Sequence, residues 1–297
     1  MLESVPKRLG CPVRSRLHLA APICGLDFSG DKSNQNAALY GSGASSRRDE
    51  TMNRILRALL PLRYTPFHPK YWRFVSDFLA FRRLSRIHNR PFTLRWKDRY
   101  PVLDERTSET AFEPHYTYHP AWAARVIART KPAMHVDIAS TLHFCGMLSA
   151  FVPVEFYDMR PARLTLSNLT SRRADLLSLP FPDESIESIS CMHVVEHVGL
   201  GRYGDPLDPI GDLKAMAELQ RVVAVGGSLL FVVPVGRPCI RYNAHRIYGY
   251  EEVAKRFARL RMRQFALIDD EGQFTVDARP GDADSQENGC GCWWFTK

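Results

Sequence analysis

The sequence predicts an α/β chain built on a mostly parallel seven-stranded sheet, and three observations carry that reading. From residue 121 onward, short apolar runs alternate with stretches of helical period, the pattern of strands joined by crossover helices. Acidic residues (Asp137, Asp158 and Asp175) stand at or just beyond the ends of three successive predicted strands. The last two strands, at 264–268 and 290–295, have no long helix between them, which predicts an antiparallel closing strand.

The elements follow in order. Residues 121–130 read as a helix, and 134–138 as a short buried strand. Strands are expected at 154–157 and 169–174, and a fourth at 186–192, followed by a loop. Residues 210–223 carry apolar positions at helical spacing. Gly226-Gly227 is expected to end that helix and turn the chain into 228–233, the most apolar strand. A further helix is expected at 251–258 before the two closing strands.

Upstream the pattern differs. Residues 31–50 are rich in Ser, Asn, Gly and charge without a sustained period, so 1–51 is expected to be a disordered extension. A new pattern begins at Met52, which reads as a natural start. Residues 52–114 are expected to be a basic, partly helical region, and 115–297 the catalytic domain. Tyr71, Phe74, Phe78 and Phe81 fall at helical spacing beside Arg73, Arg82 and Arg83. Such a helix suits either a membrane surface or docking through its aromatic stripe.

The net charge of +8 is uneven: residues 1–100 hold 19 Lys or Arg against 7 Asp or Glu, and the remainder sums to −4. A catalytic region without basic excess argues against a nucleic-acid substrate. No apolar run reaches the ~18 residues of a membrane span, so a cytoplasmic protein is expected, with peripheral membrane contact through 52–90 as the further option. The seven cysteines make an odd total without zinc or disulfide spacing, and neither metal nor disulfide is expected.

The chemistry-bearing stretches begin at Val136-Asp137-Ile138-Ala139-Ser140, a strand end where an open α/β sheet binds ligands. Asp158 lies 21 positions later, ending the next strand. A carboxylate there can accept from both hydroxyls of a ribose, which suits an adenosine-containing cofactor. Asp137 and Asp158 are expected side by side at one rim, with Ala139, Ser140 and Met159 beside them. Asp175 can accept from an adenine amino group, with Leu176 covering the ring. The run Met192-His193-Val194-Val195-Glu196-His197 leads into Val198-Gly199-Leu200-Gly201-Arg202-Tyr203-Gly204-Asp205-Pro206. Charged side chains crowd a glycine-rich loop there, where they have no core role.

Taken in order, these stretches resemble the class I S-adenosylmethionine (SAM)-dependent methyltransferases. Glu218-Leu219-Gln220-Arg221-Val222 with Gly226-Gly227 is typical of that fold. More closely, the chain is similar to a methyltransferase-like domain-of-unknown-function family of bacteria and nematodes. The likeness rests on His135-Val136-Asp137-Ile138, the run from Glu196 to Pro206, Val233-Pro234-Val235-Gly236 and Asn243-Ala244-His245-Arg246, and spans residues 97–297. The resemblance implies a Rossmann-like class I fold with SAM as cofactor. Ala139 stands where the wider fold carries glycine, a departure that matters only if the backbone needs a positive φ there.

On that reading His197 is the candidate base, with Glu196 orienting it or acting as base itself. His193 is a candidate cofactor contact. Arg202, Tyr203, Asn243, His245 and Arg246 are candidate contacts to an acceptor. Tyr116, Tyr118 and Trp122 are candidates for a lid. The acceptor expected is an oxygen or nitrogen of a small molecule or glycan, from the family's association with sugar biosynthesis. A nicotinamide oxidoreductase would want G-x-G-x-x-G after the first strand, which is missing. The alternative is a catalytically silent adaptor that keeps the fold and binds a membrane or a protein partner.

Overall fold

The computed structural model describes residues 69–88 and 90–297. The extension expected at 1–51, the start at Met52 and the segment 52–68 lie outside the described residues. The chain divides into two compact units, Met1–Glu109 and Thr110–Lys297.

In the first unit, helix α1 (Pro69–His88) buries no residue. Phe78 meets Trp96 edge-on at 4.9 Å between ring centroids, and Lys70 and Asp77 pair with Asp104 and Arg106. Trp72, Leu79, Phe81, Leu84 and Ile87 are exposed. Tyr71, Phe74 and Phe78 are half-buried along the expected face, with Phe74 6.2 Å from Trp96 between ring centroids, while the exposed apolar side chains other than Phe81 stand off that face. Among the described residues no helix is long and apolar enough to cross a membrane.

The second unit is a three-layer α/β/α sandwich. Helix α2 (Pro114–Thr130) starts where the Glu113 side chain accepts from the His115 amide, with proline at its first position, a favoured pairing of cap and residue. It stops at Lys131, which is left-handed and precedes Pro132. It buries His119, Trp122, Ala123, Val126 and Ile127, one face at helical spacing.

The strands are β1 (His135–Ile138), β2 (Val154–Asp158), β3 (Leu169–Arg173), β4 (Ile186–Met192), β5 (Val223–Val235), β6 (Cys239–Arg241), β7 (His245–Ile247), β8 (Arg261–Ile268), β9 (Phe274–Val276) and β10 (Gly289–Thr296). Helices α3 (Leu142–Leu148), α4 (Gly211–Val222), α5 (Tyr250–Arg256) and α6 (Pro280–Asp284) connect them. The main sheet runs β3-β2-β1-β4-β5-β10-β8-β9. Strands β1 to β5 pair in parallel, and β10 is antiparallel to both neighbours.

This is the expected Rossmann-like, mostly parallel sheet with an antiparallel last strand. Among the described residues it has eight strands rather than the seven expected, because β9 adds a short antiparallel edge on β8. A separate hairpin, β6–β7, also forms. All three of these strands are three residues long, too short to register as an alternating pattern.

Central strand β5 is buried on both sides. Leu229, Phe231, Val233 and Val235 enter one core with α4 and α5, while Leu230 and Val232 enter the other with α2 and α3. That is why its sequence is a continuous apolar run. Gly226-Gly227 does not end the preceding helix as expected. The helix ends at Val222, and the glycines form a bulge inside β5, where the pairing with β4 shifts register. Gly226 has φ +81°, and a Cβ on Gly227 would lie 2.9 Å from the Ala224 and Ile186 carbonyl oxygens. A glycine pair serves a bulge and a helix stop equally well, so the sequence could not separate them.

Candidate functional site

Strand β1 lies between β2, whose crossover packs α3 on one side, and β4, whose connection leads the other way. Loops leaving the carboxyl ends of β1 and β4 therefore diverge, and the crevice between them is where open α/β sheets take ligands.

The floor of that crevice is a buried polar network. Asp137 is fully buried: its Oδ1 accepts from the Ser140 amide at 3.0 Å, and its Oδ2 accepts from the Ser190 hydroxyl. Ser190 Oγ also lies 2.8 Å from Nε2 of His135, whose Nδ1 lies 2.8 Å from Ser188 Oγ. Burial pushes the Asp137 carboxyl up to about 6 against these hydrogen bonds and pushes His135 down to about 3. The Ser140 hydroxyl accepts from the Met192 amide at 3.1 Å and so ties the end of β1 to that of β4.

Two expectations are corrected here. Asp137 and Ser140, expected against the cofactor, face inward and shape the loop instead. A short strand end without glycines has to hold its turn by side-chain hydrogen bonds. The pair of acids expected to grip one ligand together is thus reduced to Asp158 at the surface.

Ala139 continues the ladder by donating to the Tyr157 carbonyl at 2.8 Å, and its φ is +53°. This is the left-handed region where glycine is at ease and alanine is strained. Asp158 is partly buried, and its Oδ1 accepts from the Arg160 amide at 2.7 Å; burial raises its pKa. Met159 beside it is exposed. Asp175 is exposed and caps its own turn through the Leu177 amide, while Leu176 is buried in the core.

The motif Glu218-Leu219-Gln220-Arg221-Val222 holds the 179–183 loop in place. Arg221 donates to the Leu179 and Phe181 carbonyls, to Asp183 and twice to Glu218, whose Oε2 also accepts from the Leu179 amide.

Beyond β4 the chain makes a 3₁₀ turn, Val195–His197. Glu196 is 1% exposed, and its Oε1 accepts from His193 Nδ1 at 2.9 Å and lies 3.9 Å from His197 Nε2. Burial alone would raise the Glu196 carboxyl, but His197 and His193 hold it below the usual range. His197 Nδ1 donates to the Ala244 carbonyl at 2.6 Å, which fixes the tautomer and leaves the lone pair on Nε2. Its pKa is lowered, chiefly by burial. A neutral imidazole anchored through Nδ1 can take a proton at Nε2, and Glu196 stands beside that same nitrogen, where its charge favours the imidazolium.

The β6–β7 hairpin supplies that Ala244 carbonyl, which Arg202 also reaches at 3.2 Å. Tyr203 lies under Arg160 and Arg202, at 4.8 and 5.1 Å from its ring centroid, and edge-on to His197 at 5.6 Å. His245 is half-buried, 6.5 Å from His197 between centroids, and Asn243 is exposed at the hairpin tip. Arg246, expected at the acceptor, is a correction. It is buried, donates to the Val198 carbonyl at 2.7 Å and approaches Asp212 at 3.6 Å. It locks the glycine-rich loop to α4, since a buried guanidinium needs several acceptors.

Within that loop Asp205 accepts from the amides of Gly199, Gly201 and Tyr203. Gly199 has φ +79°, and a Cβ there would lie 2.0 Å from the Asp208 carbonyl oxygen. Of the expected lid, Trp122 is a core residue bonded to Gln264, Tyr118 stacks on Phe274, and Tyr116 is exposed at 5.6 Å from His193. A hollow of about 350 Å³ lined by Thr130, Glu187, Ser188, Gly226, Arg263 and Trp294 sits at the opposite, amino-terminal edge of β4 and β5, away from this chemistry.

Residues 182–275 match the family model described as "Caenorhabditis protein of unknown function, DUF268". No curated protein matches the chain. Similar solved structures include a TehB-like SAM-dependent methyltransferase from Corynebacterium glutamicum, 14% identical over 59% of this chain and 86% of that one, TM-score 0.38. The N-methyltransferase NodS from Bradyrhizobium japonicum, in complex with S-adenosyl-L-homocysteine, is 14% identical over 62% and 87%, TM-score 0.42. The [4+2]-cyclase SpnF is 13% identical over 75% and 94%, TM-score 0.43.

Proposed function

We propose that this chain binds SAM in the crevice beyond β1, β2 and β4 and transfers its methyl group to an oxygen or nitrogen of a small-molecule or glycan acceptor. The observation that carries the reading is the neutral His197, its Nδ1 anchored on Ala244 and its Nε2 beside the ionised Glu196, at the carboxyl edge of this sheet order. Asp158, Met159 and Asp175 are accessible along the same edge and suit the ribose and adenine. SAM when bound supplies an electrophilic methyl. The chain's own residues orient the acceptor, through Arg202, Tyr203, Asn243 and His245, and take its proton at His197 Nε2. Glu196 then stabilises the imidazolium. Positioning the two reactants is the larger part of the rate enhancement.

Calorimetric titration of the full chain with SAM tests the reading. Micromolar binding that Asp158→Ala weakens at least about tenfold, the loss of one charge-assisted ribose interaction, supports it. The strained Ala139 favours the second reading, a silent adaptor, and absence of SAM binding in both the parent and Ala139→Gly would decide for that alternative. Labelled SAM with cell extract then identifies the acceptor class.

A further inference from the structure

Beside the crevice, three potential metal ligands come from three distant parts of the chain. His115 lies in the first turn of α2, His193 just after β4, and Cys290 near the start of β10. One ligand atom from each lies within 4.8 Å of the other two. His193 Nε2 is 3.3 Å from Cys290 Sγ. A tetrahedral zinc ion with Zn–N near 2.0 Å and Zn–S near 2.3 Å sets such donors about 3.5 Å apart.

The surroundings fit a cation rather than a chance meeting. His193 Nδ1 donates to the ionised Glu196 at 2.9 Å, so its Nε2 carries the lone pair and faces the thiol. A carboxylate behind the distal nitrogen is the usual support of a metal-bound histidine. His193 is held at φ +57°, a strained backbone that persists only where the surroundings impose it. The ring of His119 lies 5.0 Å from that of His193. It is fully buried, donates from Nδ1 to the His115 carbonyl, and its Nε2 lone pair has no hydrogen-bond partner among the described residues. A second thiol, Cys292, is 3.9 Å from Cys290.

We propose that His115, His193 and Cys290 bind one thiophilic divalent cation, zinc by donor type, with the fourth position open. Two imidazoles and one thiolate select zinc over the oxygen-seeking cations, and three protein ligands leave a position for water or an acceptor heteroatom. Binding forms two metal–nitrogen bonds and one metal–sulfur bond, and the Cys290 proton leaves to solvent. The site does not depend on SAM.

The test uses the full-length chain, stripped of metal and without SAM, titrated with cobalt(II) and then zinc(II). One equivalent of cobalt is expected, with a thiolate-to-cobalt charge-transfer band that zinc abolishes. Cys290→Ser removes the band, Glu196→Gln weakens binding about tenfold through its support of His193, and Cys239→Ser, an exposed cysteine elsewhere, leaves it intact. If the variants fail to fold, the parent protein decides: zinc binding must release the Cys290 proton, read with a pH indicator in weak buffer. No charge-transfer band at one equivalent, a band that survives Cys290→Ser, or zinc binding without proton release would overturn the proposal.

Discussion

Replacing Ala139 with glycine isolates the backbone strain at the end of β1. Alanine in the left-handed region costs about 1–2 kcal/mol, and Ala139 sits there at φ +53°. Glycine relieves this but brings about 0.5–1 kcal/mol of extra unfolded-state freedom. Its missing methyl is only partly buried and forfeits roughly 0.4 kcal/mol, half of a buried methylene. The balance is a stabilisation of roughly 0.3–0.4 kcal/mol, where the same change in ordinary helix or strand loses about 0.5–1 kcal/mol. Urea denaturation of the full chain, read at the midpoint with unchanged slope, measures the difference. Ala139→Val, which adds branching at a positive φ, is expected to lose about 2 kcal/mol or more. A glycine variant less stable by about 1 kcal/mol would refute the left-handed assignment.

Three further outcomes follow. Asp205→Ala removes the acceptor of three loop amides and is expected to cost about 1–3 kcal/mol, with faster hydrogen exchange at Gly199, Gly201 and Tyr203; unchanged exchange would contradict the capping role. Arg221→Gln breaks the hold on the 179–183 loop and is expected to cost about 2–3 kcal/mol by thermal or urea unfolding. Acidification should destabilise the fold. Between pH 6.5 and about 3 the unfolded chain takes a proton at residue 135 that the folded chain refuses, a loss of about 1.4 kcal/mol per unit. Asp137 works oppositely from about 6 down to 3.8, since the folded chain holds its proton there. The two cancel in that window, and buried His119, also pushed well down, leaves a net loss. Unfolding midpoints measured from pH 7 to 4.5 should fall, and Asp137→Asn should steepen the fall.

Much of the fold was legible because each strand end carries a local signal. The continuous apolar run of β5 reports burial on both faces, and Asp137, Asp158 and Asp175 mark three successive strand ends. Glu196 and His197 stood out because charge in a glycine-rich loop has no packing role. What the sequence could not show is which way a side chain turns. Asp137, Ser140 and Arg246 have the residue types of ligand contacts, yet each is spent on groups of the protein itself, a matter of tertiary hydrogen bonding. Spacing along the chain also said nothing of His115, His193 and Cys290. They lie far apart in sequence and converge only because α2 packs beside the sheet at the edge where β4 ends and β10 begins. Local periodicity determined the elements; long-range pairing decided which polar groups face a ligand.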